Sequence, residues 1–506
     1  MSASEITARR PKNAIVILLD SLNRHMLGAY GGREFATPNL DSFARRAVRF
    51  DRHYSGSLPC IPARHDILCG AIDFLWKPWG SIEIWERPLT AYLRAAGVVT
   101  KLVSDHPHLF EVGGENYHTD FTAWDYQRGH ESDPWQTRPD PSWMGAPSFA
   151  RGHTPYDNSR GYFRDETDFP GPRTMAAATE WLERSARSHD RFMLFVDEFD
   201  PHEPFDTPEP YASMYDSSWQ GPHMIWPPYV RGALAHGVLT LEQARQIRAC
   251  YGAKLTMIDA WLGRLLAAIE RGGFYDDTTV IVCTDRALPR REGHLGQARV
   301  PIYEPLGHTP LFIAMPGGVT GKIDALTTNV DICATLAEIF GVEMAHRTHG
   351  RSILPMMTGE ARSIRDWALA GVWGREVHLI DAEAKYARAP AGDNAPLSLW
   401  SNRWSTMPIH HMPQLHMPPP DERAVLDTMP GARIPVIRQP FRADDLLPYW
   451  AMGKFSGNHL YRVNDDPGEE ENRAGSAEEK RAAEKLRAAL IEMEAPKEQF
   501  ERLALA

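Results

Sequence analysis

The chain has 506 residues, 43% hydrophobic and 24% charged, a globular balance long enough for more than one structural unit. Its net charge of −11 argues against nucleic acid as a partner, and no apolar run approaches the length of a membrane span. Five scattered cysteines do not make a disulfide framework, and the first residues lack the apolar stretch of a secretory signal, so a cytoplasmic location is expected.

The first predicted element is Ile15-Val16-Ile17-Leu18-Leu19, a continuous apolar run suited to a strand covered on both faces, and it ends in Asp20. Next comes Ser57-Leu58-Pro59-Cys60-Ile61-Pro62-Ala63-Arg64-His65-Asp66-Ile67-Leu68-Cys69-Gly70. Pro62 is pre-set for the first turn of a helix, which puts Cys60 at an N-terminus, where free N–H groups and the dipole favour an anion. Arg64, about a turn away, offers a planar fork of donors suited to sulfate or phosphate. These residues alone also fit a buried cysteine beside a turn.

A helix is predicted from Thr174 to Ser188, then a second apolar run, Phe192 to Val196, ending in Asp197. A long helix follows from about Leu241 to Glu270, with Leu255, Ile258, Leu262, Leu265 and Ile269 at helical spacing and Gly272-Gly273 as its stop. The third apolar run, Val280 to Cys283, leads into Thr284-Asp285. This alternation predicts an α/β domain over residues 1–370 with a large, mostly parallel sheet flanked by helices. Ligands of such sheets gather at the carboxyl ends of the strands, so Asp20 and Asp285 are expected to share one site.

Residues 371–506 read as a smaller C-terminal α+β subdomain. Its stretch 374–450 is rich in Pro, Trp, Met and His, and is expected to roof or line the pocket or to make a subunit contact, a homo-oligomer being compatible with it. The pair His410-His411 is a weak metal candidate amid Pro and Met. A charged helix from about Ala477 to Glu494 closes the chain, packed through Leu486, Leu490 and Met493.

The C-x-P-x-R stretch followed by an apolar residue and a Cys-Gly pair resembles the signature of the formylglycine-dependent sulfatases. The likeness extends in register to Asn13–Asp20 with the turn after it, Thr37-Pro38-Asn39-Leu40-Asp41, Asp200-Pro201-His202-Glu203-Pro204-Phe205, the helix through Tyr251–Leu265, and Leu460–Val463 with Asp466–Asn472. The resemblance implies an alkaline-phosphatase-like fold and hydrolysis of a small-molecule or carbohydrate sulfate ester. It implies that a formylglycine-generating maturation enzyme oxidises Cys60 to an aldehyde. One hydroxyl of the hydrate would attack sulfur and displace the alcohol; the second would lose its proton and expel sulfate.

By the same resemblance Asp20 and Asp285 would ligate a divalent metal, calcium before magnesium. Arg64 would stabilise the hydrate and the transferring group. His202 would bind the ester or protonate the leaving oxygen. Three departures stand out. Ser21 follows Asp20 where many sulfatases have a second aspartate, Arg286-Ala287 follows Asp285 where the family has Asn or His and then Gly, and the lysine of the Gly-Lys-x-His element is missing. His106 or His108 would then take that element's histidine role, unless Asp105 pairs with either as a structural cluster. Either a depleted metal site survives on Asp20, Asp285, the modified Cys60 and Asp105, or Arg286 replaces the cation and clamps the substrate. His294 and His308 are further candidates for lining the pocket. The alternatives are a phosphonate or phosphate ester hydrolase on the same scaffold, or a non-catalytic descendant that binds an anion or glycan.

Overall fold

The structure is a computed structural model that describes residues 11–137, 155–228, 232–287, 307–405, 419–452 and 457–506. In chain order it runs β1 (Asn13–Leu19), α1 (Pro38–Arg46), β2 (Val48–Tyr54), α2 (Cys60–Cys69), α3 (Leu89–Ala95), β3 (Val99–Ser104), β4 (Ala123–Tyr126), α4 (Pro155–Arg160), α5 (Pro170–Arg184), β5 (Phe192–Glu198), α6 (Leu241–Arg271), β6 (Thr278–Cys283), β7 (His308–Ala314), β8 (Gly321–Thr328) and α7 (Asn329–Phe340). Seven short strands follow: β9 (Trp367–Gly371), β10 (Val377–Asp381), β11 (Lys385–Arg388), β12 (Leu397–Ser401), β13 (Val425–Asp427), β14 (Val436–Phe441) and β15 (His459–Tyr461). Helices Ala477–Glu492 and Lys497–Arg502 end the chain.

Eight strands form the main sheet, in the order β4-β3-β5-β1-β6-β7-β2-β8. All its neighbours pair in parallel except β7, which is antiparallel to both β6 and β2. Strand β1 lies in the middle, with Leu18 opposite Asp197 of β5 and Cys283 of β6. Its side chains alternate between two cores, as a pleated strand requires. Ile15, Ile17 and Leu19 pack on the face covered by α1, α5 and α6, while Ala14, Val16 and Leu18 pack on the face covered by α2, α3 and α7. That double burial is why the run is apolar without alternation.

Segment 374–450, read from sequence as an irregular insert or a second smaller unit, holds strands. With β9 and β15 they build a four-stranded antiparallel sheet, β15-β11-β10-β9, and a three-stranded one, β12-β14-β13. The pair His410-His411 lies outside the described residues. The end of β9 is stitched to the loop that delivers Cys60: Leu58 N–H donates to Gly371 O at 3.0 Å, and Gly371 N–H to Gly56 O at 3.0 Å. Gly371 has no room for a side chain, because a Cβ there would sit 2.2 Å from the ring of Phe74.

Candidate active site

Because β1, β2, β3, β5 and β6 run in one direction, the segments leaving their carboxyl ends converge on one edge of the sheet. The segment after β1 supplies Asp20, that after β2 leads to Cys60, that after β3 supplies His106, that after β5 supplies His202, and that after β6 supplies Asp285 and Arg286.

Helix α2 begins at Cys60, with Pro62 in its first turn and Gly70, at φ 71°, ending it. All ten of its residues are buried, including Arg64, His65 and Asp66. A buried helix this polar needs a partner for every charge. Asp66 accepts the Ser57 N–H at 2.7 Å and so fixes the approach to Cys60.

Arg64 spends its fork inside the protein. Nε and Nη2 donate to the two oxygens of Asp197 at 2.8 and 2.6 Å, Nη1 reaches Cys60 O at 3.2 Å and Asp285 Oδ2 at 3.3 Å, and Nη2 lies 3.0 Å from Asp20 Oδ2. Asp197 is thus a member of the site. The sequence marked it only as the end of an apolar run, although the repeat of run-then-aspartate at Asp20 and Asp197 was the available signal.

Arg286 is 1% exposed and points into the same centre. Its Nη2 lies 2.8 Å from Cys60 Sγ and 3.5 Å from Asp20 Oδ1, and its Nε lies 3.4 Å from Asp285 Oδ2. Asp285 Oδ1 is filled by the backbone N–H groups of Ser21 at 3.1 Å and Arg286 at 2.8 Å and by the Thr284 hydroxyl at 3.3 Å. Burial pushes the Cys60 thiol well above its ordinary value despite Arg286, and pushes the Asp285 carboxyl up with the help of Asp20. A cysteine left unmodified would therefore be a protonated, weak nucleophile.

Asp20, Cys60 and His106 each turn a donor atom into one space, all within 4.8 Å of one another. Yet the arrangement does not fit a divalent cation. Calcium or magnesium needs six or more oxygen ligands, and here the guanidinium of Arg286 already contacts Cys60, Asp20 and Asp285.

Of the two candidate histidines after β3, His106 faces the centre, with Nε2 3.7 Å from Asp20 Oδ2. Burial and the nearby Arg64 hold it well below its ordinary value, hence neutral. His108 sits one layer back, between Glu111 and Glu131. Burial opposes its charge, but the two carboxylates prevail and raise it to about 10. Its ring meets Trp79 edge-on, and Trp79 stacks on Trp450, so the C-terminal part of the chain touches this wall. Asp105 accepts the Phe199 N–H at 2.8 Å, a contact away from the centre.

Phe199 bridges the two neutral imidazoles, edge-on to His106 at 4.4 Å and stacked on His202 at 4.2 Å. His202 Nδ1 is 2.8 Å from Glu203 O, which assigns the proton to Nδ1. Burial lowers its pKa to about 4. The pocket-lining role expected of His308 meets a different arrangement: its ring contacts Arg24 and Asp51 O and stacks on Tyr54 at 4.4 Å. His294 lies outside the described residues.

The turn carrying Asp20 is held from behind. Ser21 has φ 63°, in the left-handed region that non-glycine residues seldom occupy. Tyr251 of α6 donates its hydroxyl to Ser21 O at 3.1 Å and accepts the Asn23 N–H at 3.1 Å.

Comparisons with known proteins agree with this geometry. The profile of the family described as Sulfatase matches residues 12–342. The choline-sulfatase of Rhizobium meliloti is 25% identical over 418 residues, covering 75% of this chain and 78% of its own. The multifunctional alkaline phosphatase superfamily protein PehA of Trinickia caryophylli is 26% identical over 426 residues, covering 70% and 78%. Among solved structures, the phosphonate monoester hydrolase of Agrobacterium radiobacter superimposes with a TM-score of 0.63 at 20% identity, over 96% of both chains. With strand-end carboxylates, a cysteine opening a helix and a buried arginine one turn further on, and with the family profile matching residues 12–342, the chain belongs to the sulfatase family, on an alkaline-phosphatase-like α/β fold.

Proposed function

We propose that the protein hydrolyses a sulfate monoester of a small molecule or carbohydrate at residue 60, after a maturation enzyme has converted Cys60 to formylglycine. The supporting observation is the placement of Cys60 Sγ at the start of α2, 2.8 Å from Arg286 Nη2, beside the buried carboxylates Asp20 and Asp285. The aldehyde hydrate supplies a hydroxyl nucleophile and a second hydroxyl whose deprotonation releases the product.

The chain's own side chains do the rest. Arg286 faces the position where negative charge develops and stabilises it. Arg64, locked on Asp197, fixes the start of α2 and adds positive field without touching the ester. His106, neutral and facing Asp20, takes the hydroxyl proton. His202, also neutral with its proton on Nδ1, offers Nε2 as an acceptor. The leaving oxygen therefore departs without a strong acid beside it. Sulfatases generally use a metal together with formylglycine; in this chain the Arg286 guanidinium fills the space between Asp20, Cys60 and Asp285.

A second reading, a phosphonate or phosphate ester hydrolase, has the support of the fold shared with the phosphonate monoester hydrolase of Agrobacterium radiobacter. Among the described residues no helix is long and apolar enough to cross a membrane, and we infer a cytoplasmic protein without a nucleic-acid partner. The division at residue 370 and self-association belong to the same proposal. The test is mass spectrometry of the peptide spanning residue 60 after co-expression with a maturation enzyme, with aryl sulfate and phenyl phosphonate assayed side by side. Aldehyde plus sulfate turnover supports the reading. Aldehyde with phosphonate turnover alone moves it to the second, and an unmodified, inactive protein points to an anion or glycan binder.

A further inference from the structure

We infer that the Arg286 guanidinium permanently takes the place of the divalent cation, and that its spare N–H groups bind the oxyanion of the substrate directly. The inference deepens the hydrolase reading and rests on it only for the identity of that oxyanion.

Three observations carry it. The first is position. Arg286 contacts the side chains of Asp20, Cys60 and Asp285 at 3.5, 2.8 and 3.4 Å, which are the groups a central cation would have to join. The second is that three of the four carboxylate oxygens already accept hydrogen bonds, and the fourth, Asp20 Oδ2, has only its ion-pair contact with Arg64. Asp20 Oδ1 accepts the Ser21 hydroxyl at 2.8 Å, Asp20 Oδ2 faces Arg64 at 3.0 Å, Asp285 Oδ1 accepts from Ser21, Thr284 and Arg286, and Asp285 Oδ2 faces Arg64 at 3.3 Å. A metal would have to strip donors from three of them and displace Arg64 from the fourth. The third is an unmet demand. Arg286 is 1% exposed, and its Nε and Nη1 have no hydrogen-bond partner among the described residues.

A buried guanidinium with idle donors costs free energy unless an acceptor arrives. A tetrahedral anion seated against residue 60 is such an acceptor, with Nη1 free to donate to one of its oxygens. Ser21 fits this picture, since its hydroxyl donates to Asp20 instead of competing for a cation. The substrate class that follows is a singly charged tetrahedral ester. A guanidinium brings one positive charge where calcium would bring two, so less negative charge is tolerated on the ligand.

The experiment measures metal content and thermal unfolding of the full-length protein, purified without chelator, alongside Arg286→Asn and Arg286→Lys. The expected wild type carries far less than about one equivalent of calcium, magnesium, manganese or zinc, and neither excess calcium chloride nor EDTA moves its unfolding temperature. The asparagine variant, with the seat vacated and an oxygen ligand added, gains a calcium-dependent rise of roughly 2–4 °C, while the lysine variant stays indifferent. A wild type holding about one equivalent of calcium that EDTA removes with a fall in unfolding temperature overturns the inference. So does an asparagine variant that folds and ignores calcium. Should that variant fail to fold, the wild-type metal content and the lysine variant decide. None of these readouts involves turnover, so failure here and failure of the hydrolase reading are separable.

Discussion

Arg64 and Asp197 form a two-point ion pair, 2.8 and 2.6 Å, in which both side chains are almost wholly removed from water. Buried pairs of this kind contribute little relative to an apolar pair, but breaking one strands a charge. Asp197→Asn is expected to lower stability by about 3 kcal/mol, read from urea unfolding. It should also release Arg64 from Cys60 O and cut turnover by roughly 10²-fold. Unchanged stability would mean that Asp20 and Asp285 hold Arg64 unaided.

Tyr251 braces the turn that carries Asp20, through Ser21 O and Asn23 N–H. Tyr251→Phe leaves both backbone groups without that partner, and is expected to cost about 1–3 kcal/mol in thermal or urea unfolding. The relaxed Ser21 turn should lower kcat more than it raises KM, because Asp20 moves relative to residue 60 and not relative to the bulk of the substrate.

His108 gives a pH signature. Its folded pKa, raised to about 10 by Glu111 and Glu131, lies above the ordinary value of 6.5 that the unfolded chain shows. The unfolded state therefore gives up this proton first as pH rises, so the stabilisation is complete below about 6.5 and is lost progressively up to about 10. The stability difference between wild type and His108→Gln should shrink across that window in urea unfolding. A constant difference would place His108 neutral in the fold.

The neutral imidazoles set the leaving-group behaviour. With His202 at about 4 and His106 also depressed, neither brings a proton to the departing oxygen at neutral pH. Aryl esters should therefore react far faster than alkyl esters, with a steep dependence of kcat/KM on leaving-group pKa across substituted phenyl sulfates. His202→Gln should lose about 10²-fold in rate and keep that steepness. A flat dependence in the wild type would require an acid elsewhere.

Charge counting restricts the substrate. Three buried carboxylates, Asp20, Asp197 and Asp285, face two guanidinium groups, Arg64 and Arg286. At a separation of about 4 Å each further negative charge costs several kcal/mol at the dielectric of a protein site. Phenyl sulfate should be turned over at least roughly 10²-fold better than the phenyl phosphate dianion. Comparable rates for the two would contradict this count.

The sheet centre was legible because β1, β5 and β6 are buried on both faces and so carry unbroken apolar runs; α6 was legible through its helical spacing. Helix α5 begins at Pro170, earlier than the expected Thr174, because Pro170-Gly171-Pro172 falls in the first turn, where missing N–H groups do no harm. The small sheets hid behind three- to six-residue strands containing Pro and Arg, too short for a period to show. In the site, Cys60, Asp20 and Asp285 were placed by strand ends and a helix start. Asp197 was not, because a carboxylate whose task is to hold another side chain has no motif of its own. The partners of His308, Arg24 and Asp51, lie more than 250 residues away in sequence.

Cys60 is 2% exposed, and the loop in front of it is clasped by Gly371. An enzyme that must grip this sulfur cannot reach it in the finished fold. Under the maturation proposed for residue 60, oxidation of the thiol would be a matter of timing: it would have to happen on the nascent or unfolded polypeptide, before the strand ending at Gly371 docks. Cells short of the oxidising enzyme would then accumulate well-folded molecules that no later exposure to it can rescue.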